Sequence, residues 1–388
     1  MNKNKTLLIV TNTDHFFLSH RIHLATGAQK SGYSVHVAAP AGHCVSQIIQ
    51  MGFYFHPISM GRKSMNPFRE IISIWSLYRT IKKISPNVIH LFTIKPVIYG
   101  TLVARLAGVK KIIATITGLG YMFLRQNFKG LIFRYALGKC YSFIFNSKSV
   151  SVTFQNRDDY KLFLDNNWVK IDQAHLIKGT GVDTQLFLPS SQKLEVTTIV
   201  FPARFLIDKG ILELFEACKI LHKEKKLKFQ LWLCGDVDDG NPSSINSEQL
   251  AEMEREPFLT NKGHVKDMAK VFKEAHIACL PSYREGIPLS LLEASSSGIP
   301  IVTTDVPGCR DVVAQDHNGF LVPAKSTQEL VTALEKLIQS KELRLKFGEN
   351  GRSLAQKEFS TDVVVSQNLR LYENQMSHAK KKINSLAS

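Results

Sequence analysis

The sequence of 388 residues has no uninterrupted apolar stretch of about 18 residues or more, so no segment is expected to span a bilayer. The apolar run between Met1 and Asn12 is too short for a secretory signal, and nothing predicts export. The six cysteines are scattered, without a C-x-x-C pair or a compact grouping with histidine. They are predicted to be reduced, mostly buried thiols of a cytosolic protein.

Acidic residues are scarce in the first half of the chain. Residues 1–190 contain 23 Lys and Arg against 7 Asp and Glu, whereas residues 191–388 contain 26 of each. The net charge of +16 therefore belongs to the first half, and between Arg62 and Lys148 the single acid, Glu70, accompanies 15 basic residues. Both a nucleic-acid groove and an anionic membrane surface fit this distribution.

Short β-branched apolar runs alternate with helical periodicity along the whole chain. Continuous apolar strands are typical of parallel sheets that carry helices on both faces. The predicted strands are 6–11, 34–39, 53–58, 88–92, 111–117, 151–155, 197–202, 229–234, 277–280, 300–304 and 319–322. The pattern predicts two doubly wound, Rossmann-like α/β domains. No G-x-G-x-x-G follows the first strand, which argues against a nicotinamide or flavin domain.

The hinge between the domains is expected between Asp183 and Glu195, where Leu-Pro-Ser-Ser-Gln-Lys separates two strand patterns. We expect an N-terminal domain over residues 1–188 and a C-terminal domain over residues 189–360. Residues 361–388 are predicted to form a helix that packs back on the N-terminal domain, followed by a frayed basic tail.

A loop with two cations follows the strand at residues 197–202. Arg204 and Lys209 lie there, and Gly210 precedes a predicted helix. Free N–H groups and the positive end of a helix dipole point into such a crevice, so a diphosphate is the natural occupant. The alternative is a pair of solvated loop cations.

Two glutamates accompany the strand at residues 277–280. Glu285 precedes a predicted helix, with Gly286 and Pro288 between, and Glu293 lies about two turns inside it. Carboxylates so placed can hold separate hydroxyl pairs of one extended ligand. The alternative is a helix cap at Glu285 and an exposed acid at Glu293.

Together these motifs make the chain resemble the retaining glycosyltransferases of family 4, which have the GT-B fold with two domains facing a cleft. Glu285 and Glu293 match the Glu-x7-Glu motif of that family, and Ala294 to Pro300 match the following Ala-x-x-x-Gly-x-Pro. Arg204 and Lys209 match its diphosphate-binding pair, and Gly235 matches its strand-end glycine.

The resemblance implies a role for each matched residue. Arg204 and Lys209 would neutralise the departing UDP, Glu293 would accept hydrogen bonds from the ribose, and Glu285 would orient the donor sugar. Further donor-binding positions implied in the same way are Gly286, Ile287, Pro288, Leu289, Gly235, His264 and Val265. Because fixed cations act on the charge that develops in the transition state, no metal is expected. The Asp236-Val237-Asp238 sequence fits a metal-binding D-x-D, but its Gly, Asn and Pro neighbours favour a surface turn.

The first half resembles one subgroup in particular. These are the bacterial transferases that add N-acetylgalactosamine in α-1,3 linkage to undecaprenyl-diphosphate-linked bacillosamine, and related capsule and O-antigen enzymes. Candidate acceptor-side residues are His15, Arg21, Arg62, Lys63, Lys95, Thr117 and Gly118. Many family members carry a histidine that contacts the donor sugar where this chain has Thr117-Gly118, so that contact is open here, with His15 or His20 as substitutes.

Residues 121–146 contain eight aromatics, four cations and no acid. This mixture suits a helix in the lipid headgroup layer, although a buried helix with snorkelling cations has the same pattern. With the resemblance, it implies a cytoplasmic enzyme bound peripherally to the inner membrane face. Its implied substrates are a UDP-N-acetylhexosamine and a polyprenyl-diphosphate-linked saccharide, with no nucleic-acid partner. The rivals are a nucleotide-sugar epimerase, a soluble transferase of the same fold, and a basic nucleic-acid-binding protein.

Overall fold

The computed structural model describes residues 5–61, 66–119, 128–191 and 194–373. The chain divides into two compact units, one formed by Met1–Thr180 with Asp362–Ser388 and the other by Gly181–Thr361. Residues 181–188 belong to the second unit and not to the first, in which the predicted boundary at residue 188 places them. Phe187 lies in the core of that unit, and its carbonyl oxygen accepts a 2.8 Å hydrogen bond from Arg352 Nη1.

Parallel strands and surrounding helices make up both units. The strands are β1 (Lys5–Val10), β2 (Tyr33–Ala39), β3 (Tyr54–Pro57), β4 (Val88–Phe92), β5 (Lys111–Ile116), β6 (Val150–Phe154), β7 (Ala174–Leu176), β8 (Thr198–Phe201), β9 (Gln230–Cys234), β10 (Leu259–Gly263), β11 (Ile277–Leu280), β12 (Ile301–Thr304) and β13 (Gly319–Val322). The helices are α1 (Asp14–His20), α2 (Ile22–Lys30), α3 (Val45–Gln50), α4 (Pro67–Ile84), α5 (Thr101–Leu106), α6 (Phe128–Phe145), α7 (Arg157–Asp165), α8 (Ile211–Lys223), α9 (Ser247–Met253), α10 (Met268–Glu274), α11 (Leu289–Ser296), α12 (Thr327–Gln339), α13 (Lys341–Leu354) and α14 (Thr361–Tyr372). Short π-helical turns lie at Pro96–Gly100, directly before α5, and at Ala355–Phe359, directly after α13.

The sheet of the first unit has seven parallel strands in the order β3-β2-β1-β4-β5-β6-β7. The order reverses between β1 and β4, so the loops that follow these two strands open outward at the carboxyl edge. Every residue of β4 is buried, as expected for a strand covered by helices on both faces.

The sheet of the second unit has six parallel strands in the order β10-β9-β8-β11-β12-β13. Its reversal lies between β8 and β11, and both strands are completely buried. Ligands of open α/β sheets bind beyond the carboxyl ends of strands at this kind of reversal. The loops after β8 and β11 carry the Arg204–Lys209 and Glu285 motifs.

Helix α14 packs on the first unit, although it follows the second in sequence. Val364, Leu371 and Tyr372 lie in the same buried cluster as Leu7 and Ile9 of β1. Tyr372 contacts the sheet directly, since its hydroxyl lies 2.7 Å from His90 Nδ1. This buried polar contact fixes the end of the helix against β4.

Two strands are absent from the sequence-based prediction. β7 has three residues, and β10, with the sequence Leu-Thr-Asn-Lys-Gly, is mostly polar. Both lie at an edge of their sheet, where one side of the strand stays unpaired and the apolar run that marks a central strand is not required. The other strands agree with the prediction to within one or two residues, which confirms two parallel-sheet, Rossmann-like domains.

Candidate active site

The loops after β8 and β11 touch at the strand-order reversal of the second unit. Gly210 ends the turn that carries Lys209 and has a φ of +75°. A Cβ there would overlap the carbonyl oxygen of Pro281, which follows β11, so glycine is required for both reasons. The backbone N–H of Tyr283 donates to the Asp208 carbonyl across the same junction at 2.9 Å.

Lys209 and Glu285 form an ion pair at this junction. Lys209 Nζ contacts Glu285 Oε1, and the two side chains are only 20% and 12% exposed. Ser282 Oγ, which is fully buried, donates to the same carboxylate oxygen at 2.7 Å. The backbone N–H of Glu285 donates to the Pro307 carbonyl at 3.1 Å. These contacts fix a cation and a carboxylate side by side.

Arg204 forms a more exposed ion pair. Its Nη1 contacts Asp238 Oδ2, with side-chain exposures of 49% and 30%. The same carboxylate accepts a 3.1 Å hydrogen bond from Asn241 Nδ2, and the Asp238 backbone N–H donates to Ser244 Oγ at 3.0 Å. The second aspartate of the D-x-D sequence is thus part of a hydrogen-bonded turn and holds the Arg204 guanidinium.

Helix α11 begins beside the Lys209–Glu285 pair with Pro288 as its N-cap residue and no side-chain cap. Among the described residues, the first-turn amides of Leu289 and Ser290 have no hydrogen-bond acceptor. Gly308 supports the preceding loop, because it has a φ of +82° and a Cβ there would overlap the carbonyl oxygen of Gly286. The free amides and the helix dipole favour an anion at this end of α11.

Glu293 lies on α11 and is half-buried. Burial raises the pKa of its carboxyl from 4.5 to about 8. No described side chain forms an ion pair or hydrogen bond with it. An unpaired, desolvated carboxylate has a free capacity to accept hydrogen bonds from ligand hydroxyls.

The ends of β9 and β10 border this region. Gly235 must lack a side chain, because a Cβ would overlap the carbonyl oxygen of Ala203, and its N–H donates to the Gly263 carbonyl at 2.9 Å. His264 is exposed beyond the end of β10, whereas Val265 is half-buried against the core. The expected base-binding loop therefore presents one free side chain and one packing residue.

Comparison with known proteins agrees with this geometry. Residues 185–354 match the family model for glycosyl transferases group 1, and residues 6–149 match that for glycosyl transferase 4-like proteins. The chain belongs to the family 4-like glycosyltransferases. It is therefore a hexosyltransferase, and the family resemblance read from the sequence is confirmed.

Relatives of this glycosyltransferase match over most of their length. The N,N'-diacetylbacillosaminyl-diphospho-undecaprenol α-1,3-N-acetylgalactosaminyltransferase of Campylobacter jejuni is 26% identical over 354 residues, covering 87% of this chain and 90% of the relative. The UDP-Gal:α-D-GlcNAc-diphosphoundecaprenol α-1,3-galactosyltransferase of Escherichia coli is 24% identical over 296 residues, covering 73% of this chain and 74% of the relative.

Solved structures share the fold. A glycosyltransferase from Rickettsia africae superposes with a TM-score of 0.78 at 18% identity and covers 97% of this chain and 100% of its own. Anabaena HepE in complex with UDP and glucose gives a TM-score of 0.76 at 14% identity, with 96% and 99% covered. These GT-B neighbours confirm the predicted fold class.

In the first unit of this glycosyltransferase, the acceptor-side candidates differ widely in environment. Lys95 Nζ donates to Glu70 Oε1 at 2.7 Å and to the Gly61 carbonyl at 2.8 Å, so it is held by its own chain. Thr117 and Gly118 are half-buried directly after β5. Arg62 and Lys63 lie outside the described residues.

The candidates His15 and Arg21 lie at either end of α1. His15 is exposed, and its Nδ1 lies 4.0 Å from Cys44 Sγ, with His43 also adjacent. This His-His-Cys group joins the first turn of α1 to the residues directly before α3, and the cysteine spacing did not predict it. Arg21, in contrast, is 4% exposed and stacks on Phe92 with 4.0 Å between the guanidinium carbon and the ring centroid.

Helices α4, α5 and α6 pack on one face of the first sheet. Leu77, Val103 and Tyr141, one from each helix, lie in the same buried cluster. Their outer side exposes large apolar residues, which we call the α4–α6 surface: Phe68, Ile71, Ile72 and Trp75 of α4, Leu106 of α5, and Ile132, Phe133, Tyr135 and Phe143 of α6. No helix among the described residues is long and apolar enough to cross a bilayer.

The segment predicted to lie in the headgroup layer, residues 121–146, is described from Phe128 onward. Tyr141 and Phe145 of α6 are buried in the core, whereas Tyr135 and Phe143 are 68% and 66% exposed. The helix therefore combines core packing with an exposed aromatic side. The contribution of α4 was missed, although its Phe-x-x-Ile-Ile-x-x-Trp spacing places these residues on one helical face.

Proposed function

We propose that this enzyme transfers an N-acetylhexosamine, with N-acetylgalactosamine favoured, from a UDP-sugar to a polyprenyl-diphosphate-linked saccharide during bacterial glycan assembly, with retention of anomeric configuration. The observation that carries the proposal is the similarity, over 87% and 73% of this chain, to two transferases whose names specify undecaprenol-linked acceptors. HepE, a neighbour in fold, binds UDP and UDP-glucose, which supports UDP as the nucleotide.

In the proposed mechanism the second unit holds the donor. Lys209 and Arg204 stabilise the charge that develops on UDP as the glycosidic bond to phosphate breaks. The free amides at the start of α11 add to this stabilisation. Their contribution is largest in the transition state, where the leaving group is most negative.

Glu285 orients the donor sugar and the Lys209 ammonium, since it is already fixed by Ser282. The acceptor hydroxyl attacks on the face that UDP leaves, and its proton passes to a phosphate oxygen of the leaving group. No residue serves as a covalent nucleophile in this scheme. Glu293 accepts hydrogen bonds from the ribose hydroxyls, and no metal is required.

We further propose that the α4–α6 surface binds the cytoplasmic face of the cell membrane. Its apolar side chains are flanked by exposed cations, including Arg69, Arg79, Lys82, Lys83 and Lys139. The one acid of α4, Glu70, is neutralised by Lys95. Each cation near an anionic surface contributes about 1 kcal/mol, so several give reversible binding where a lipid-linked acceptor resides.

The test is a donor screen with UDP-GalNAc, UDP-GlcNAc, UDP-Gal and UDP-Glc against a synthetic polyprenyl-diphosphate monosaccharide. Lys209→Ala and Glu285→Ala are each expected to lower kcat at least about 100-fold with an unchanged near-UV circular dichroism spectrum. The matched control is Lys223→Ala, which breaks the exposed Lys223–Glu256 pair of the same unit. Full turnover by either site variant would refute the assignment.

Two controls separate the rival functions. Donor conversion without an acceptor would instead identify an epimerase. Binding to anionic vesicles but not to duplex DNA at physiological salt would exclude a nucleic-acid-binding protein.

The double variant Phe68→Ser, Trp75→Ser tests the α4–α6 surface. It should weaken vesicle binding without changing the turnover of a detergent-dispersed acceptor.

A further inference from the structure

Arg21 is a buried cation without an acidic partner among the residues that the structure describes. It is 4% exposed, and its guanidinium lies 4.0 Å from the centroid of Phe92 and 5.3 Å from that of Phe16. Its Nε and Nη2 atoms are buried and make no hydrogen bond, and no described acid forms an ion pair with it. Aromatic faces supply only part of the stabilisation that water would give.

The acid at the other end of α1 does not pair with Arg21. Asp14, the first residue of α1, accepts hydrogen bonds from the backbone N–H groups of His15 and Cys44, both at 2.8 Å. Burial lowers the pKa of Arg21 to about 9, so the side chain remains charged at neutral pH. Buried charges are normally paired, whereas Arg21 has no acidic partner among the described residues.

Two further unsatisfied groups lie at the same edge of the sheet. The side-chain oxygens Asn12 Oδ1 and Thr93 Oγ1 are buried and have no hydrogen-bond partner in the part of the chain that the structure describes. Val10 of β1 is paired with Leu91 of β4, so Asn12 and Thr93 occupy corresponding positions two residues beyond the pair. Neighbouring strands lie about 5 Å apart, so the loops that carry Asn12 and Thr93 leave the sheet side by side.

Thr93 also has a strained backbone. Its φ of +71° is rare for any residue but glycine and especially unfavourable for a β-branched one. Such strain persists where the surrounding structure enforces it and is common at ligand sites. Thr93 directly follows Phe92, the residue on which the Arg21 guanidinium stacks, and both lie at the reversal between β1 and β4.

We propose that Arg21, Thr93 and Asn12 form a binding site for a phosphate oxyanion. Arg21 and Thr93 donate to the phosphate oxygens, and Asn12 accepts from a hydroxyl of the sugar attached to the phosphate. A neutral sugar alone would leave the Arg21 charge uncompensated. The inference rests on the proposed function in one respect, because it takes the bound phosphate to be the diphosphate of the polyprenyl-linked acceptor. The donor diphosphate has the same chemistry and is the second source to be distinguished.

The experiment measures binding of geranyl diphosphate and of UDP to the full chain by isothermal titration calorimetry. Arg21→Met is expected to raise the Kd for geranyl diphosphate at least tenfold and to leave that for UDP unchanged. The matched control is Lys30→Met, which removes one exposed cation from α2. An increase confined to the UDP Kd would support the site and identify the donor as its source. Unchanged values for both ligands would overturn it.

Stability distinguishes a binding role from a structural one. Because Arg21→Met removes an unpaired buried charge, the ligand-free variant should have a Tm equal to or above that of the wild type. A lower Tm together with unchanged binding would show that Arg21 supports the fold alone. Thr93→Val provides a second variant of similar size, and it should also weaken geranyl diphosphate binding.

The experiments distinguish failure of the phosphate site from failure of the proposed function. If no lipid-linked acceptor is glycosylated but geranyl diphosphate binding still depends on Arg21, the proposed function fails and the phosphate site stands. If transfer occurs and Arg21→Met leaves the KM for the acceptor and both Kd values unchanged, the function stands and the phosphate site is refuted.

Discussion

Glu293 is predicted to lower the stability of the ligand-free enzyme in a pH-dependent way. Its folded-state pKa of about 8 lies above the ordinary value of 4.5, so the folded state retains a proton that the unfolded state has lost between these two values. Each pH unit in this window costs about 1.4 kcal/mol of folding stability. The penalty is absent below pH 4.5, rises through neutral pH and is complete above pH 8.

Glu293→Gln removes this penalty, because glutamine matches the protonated acid in size and polarity. At pH 7 the expected gain in unfolding free energy is about 3 kcal/mol, and at pH 5 it is about 1 kcal/mol. For a unit of this size, 1 kcal/mol corresponds to roughly 2–4 °C in Tm. The Tm gain of the variant should therefore be about 5–10 °C larger at pH 7 than at pH 5.

Differential scanning calorimetry from pH 5 to pH 9 measures this difference, with the exposed Glu349→Gln as a control. The same variant should lose UDP affinity, because the ribose hydroxyls require the ionised carboxylate. In the wild type, UDP binding should release protons near pH 7 and strengthen as the pH rises towards 8. A Tm shift independent of pH, or a destabilised variant, would refute the assignment of an unpaired, desolvated carboxylate.

Two other substitutions test the packing around the sites. Gly210→Ala should destabilise the second unit by about 2–4 kcal/mol, because it adds an overlap with Pro281 to the cost of a positive φ. The control Gly32→Ala, at a φ of +85° with nothing within 4 Å of the added Cβ, should cost only about 1–2 kcal/mol. Equal losses of Tm in the two variants would contradict the close approach of the two loops. Tyr372→Phe should cost about 1–3 kcal/mol, because it leaves the buried His90 Nδ1 without its partner, and chemical denaturation measures the loss. A neutral effect would show that α14 is not fixed through this contact.

The fold could be predicted from the sequence because the strand signal is local. Continuous apolar runs such as Thr198–Phe201 and Ile277–Leu280 mark strands buried on both faces, and alternating helices require a parallel order. The donor motifs were equally visible, since Lys209 and Glu285 each follow such a strand. The edge strands β7 and β10 were not predicted, because an edge strand does not require a continuous apolar run.

What the sequence determined is therefore which side chains stand at the carboxyl ends of which strands. Only the tertiary structure decided what those side chains contact. The ion pair of Lys209 with Glu285 joins residues 76 positions apart, and the strand order places their loops together. The burial of Arg21 against Phe92 and the unpaired state of Glu293 are likewise properties of packing. The charge and spacing of side chains are properties of the sequence, whereas their desolvation depends on residues distant in sequence that the fold brings into contact with them.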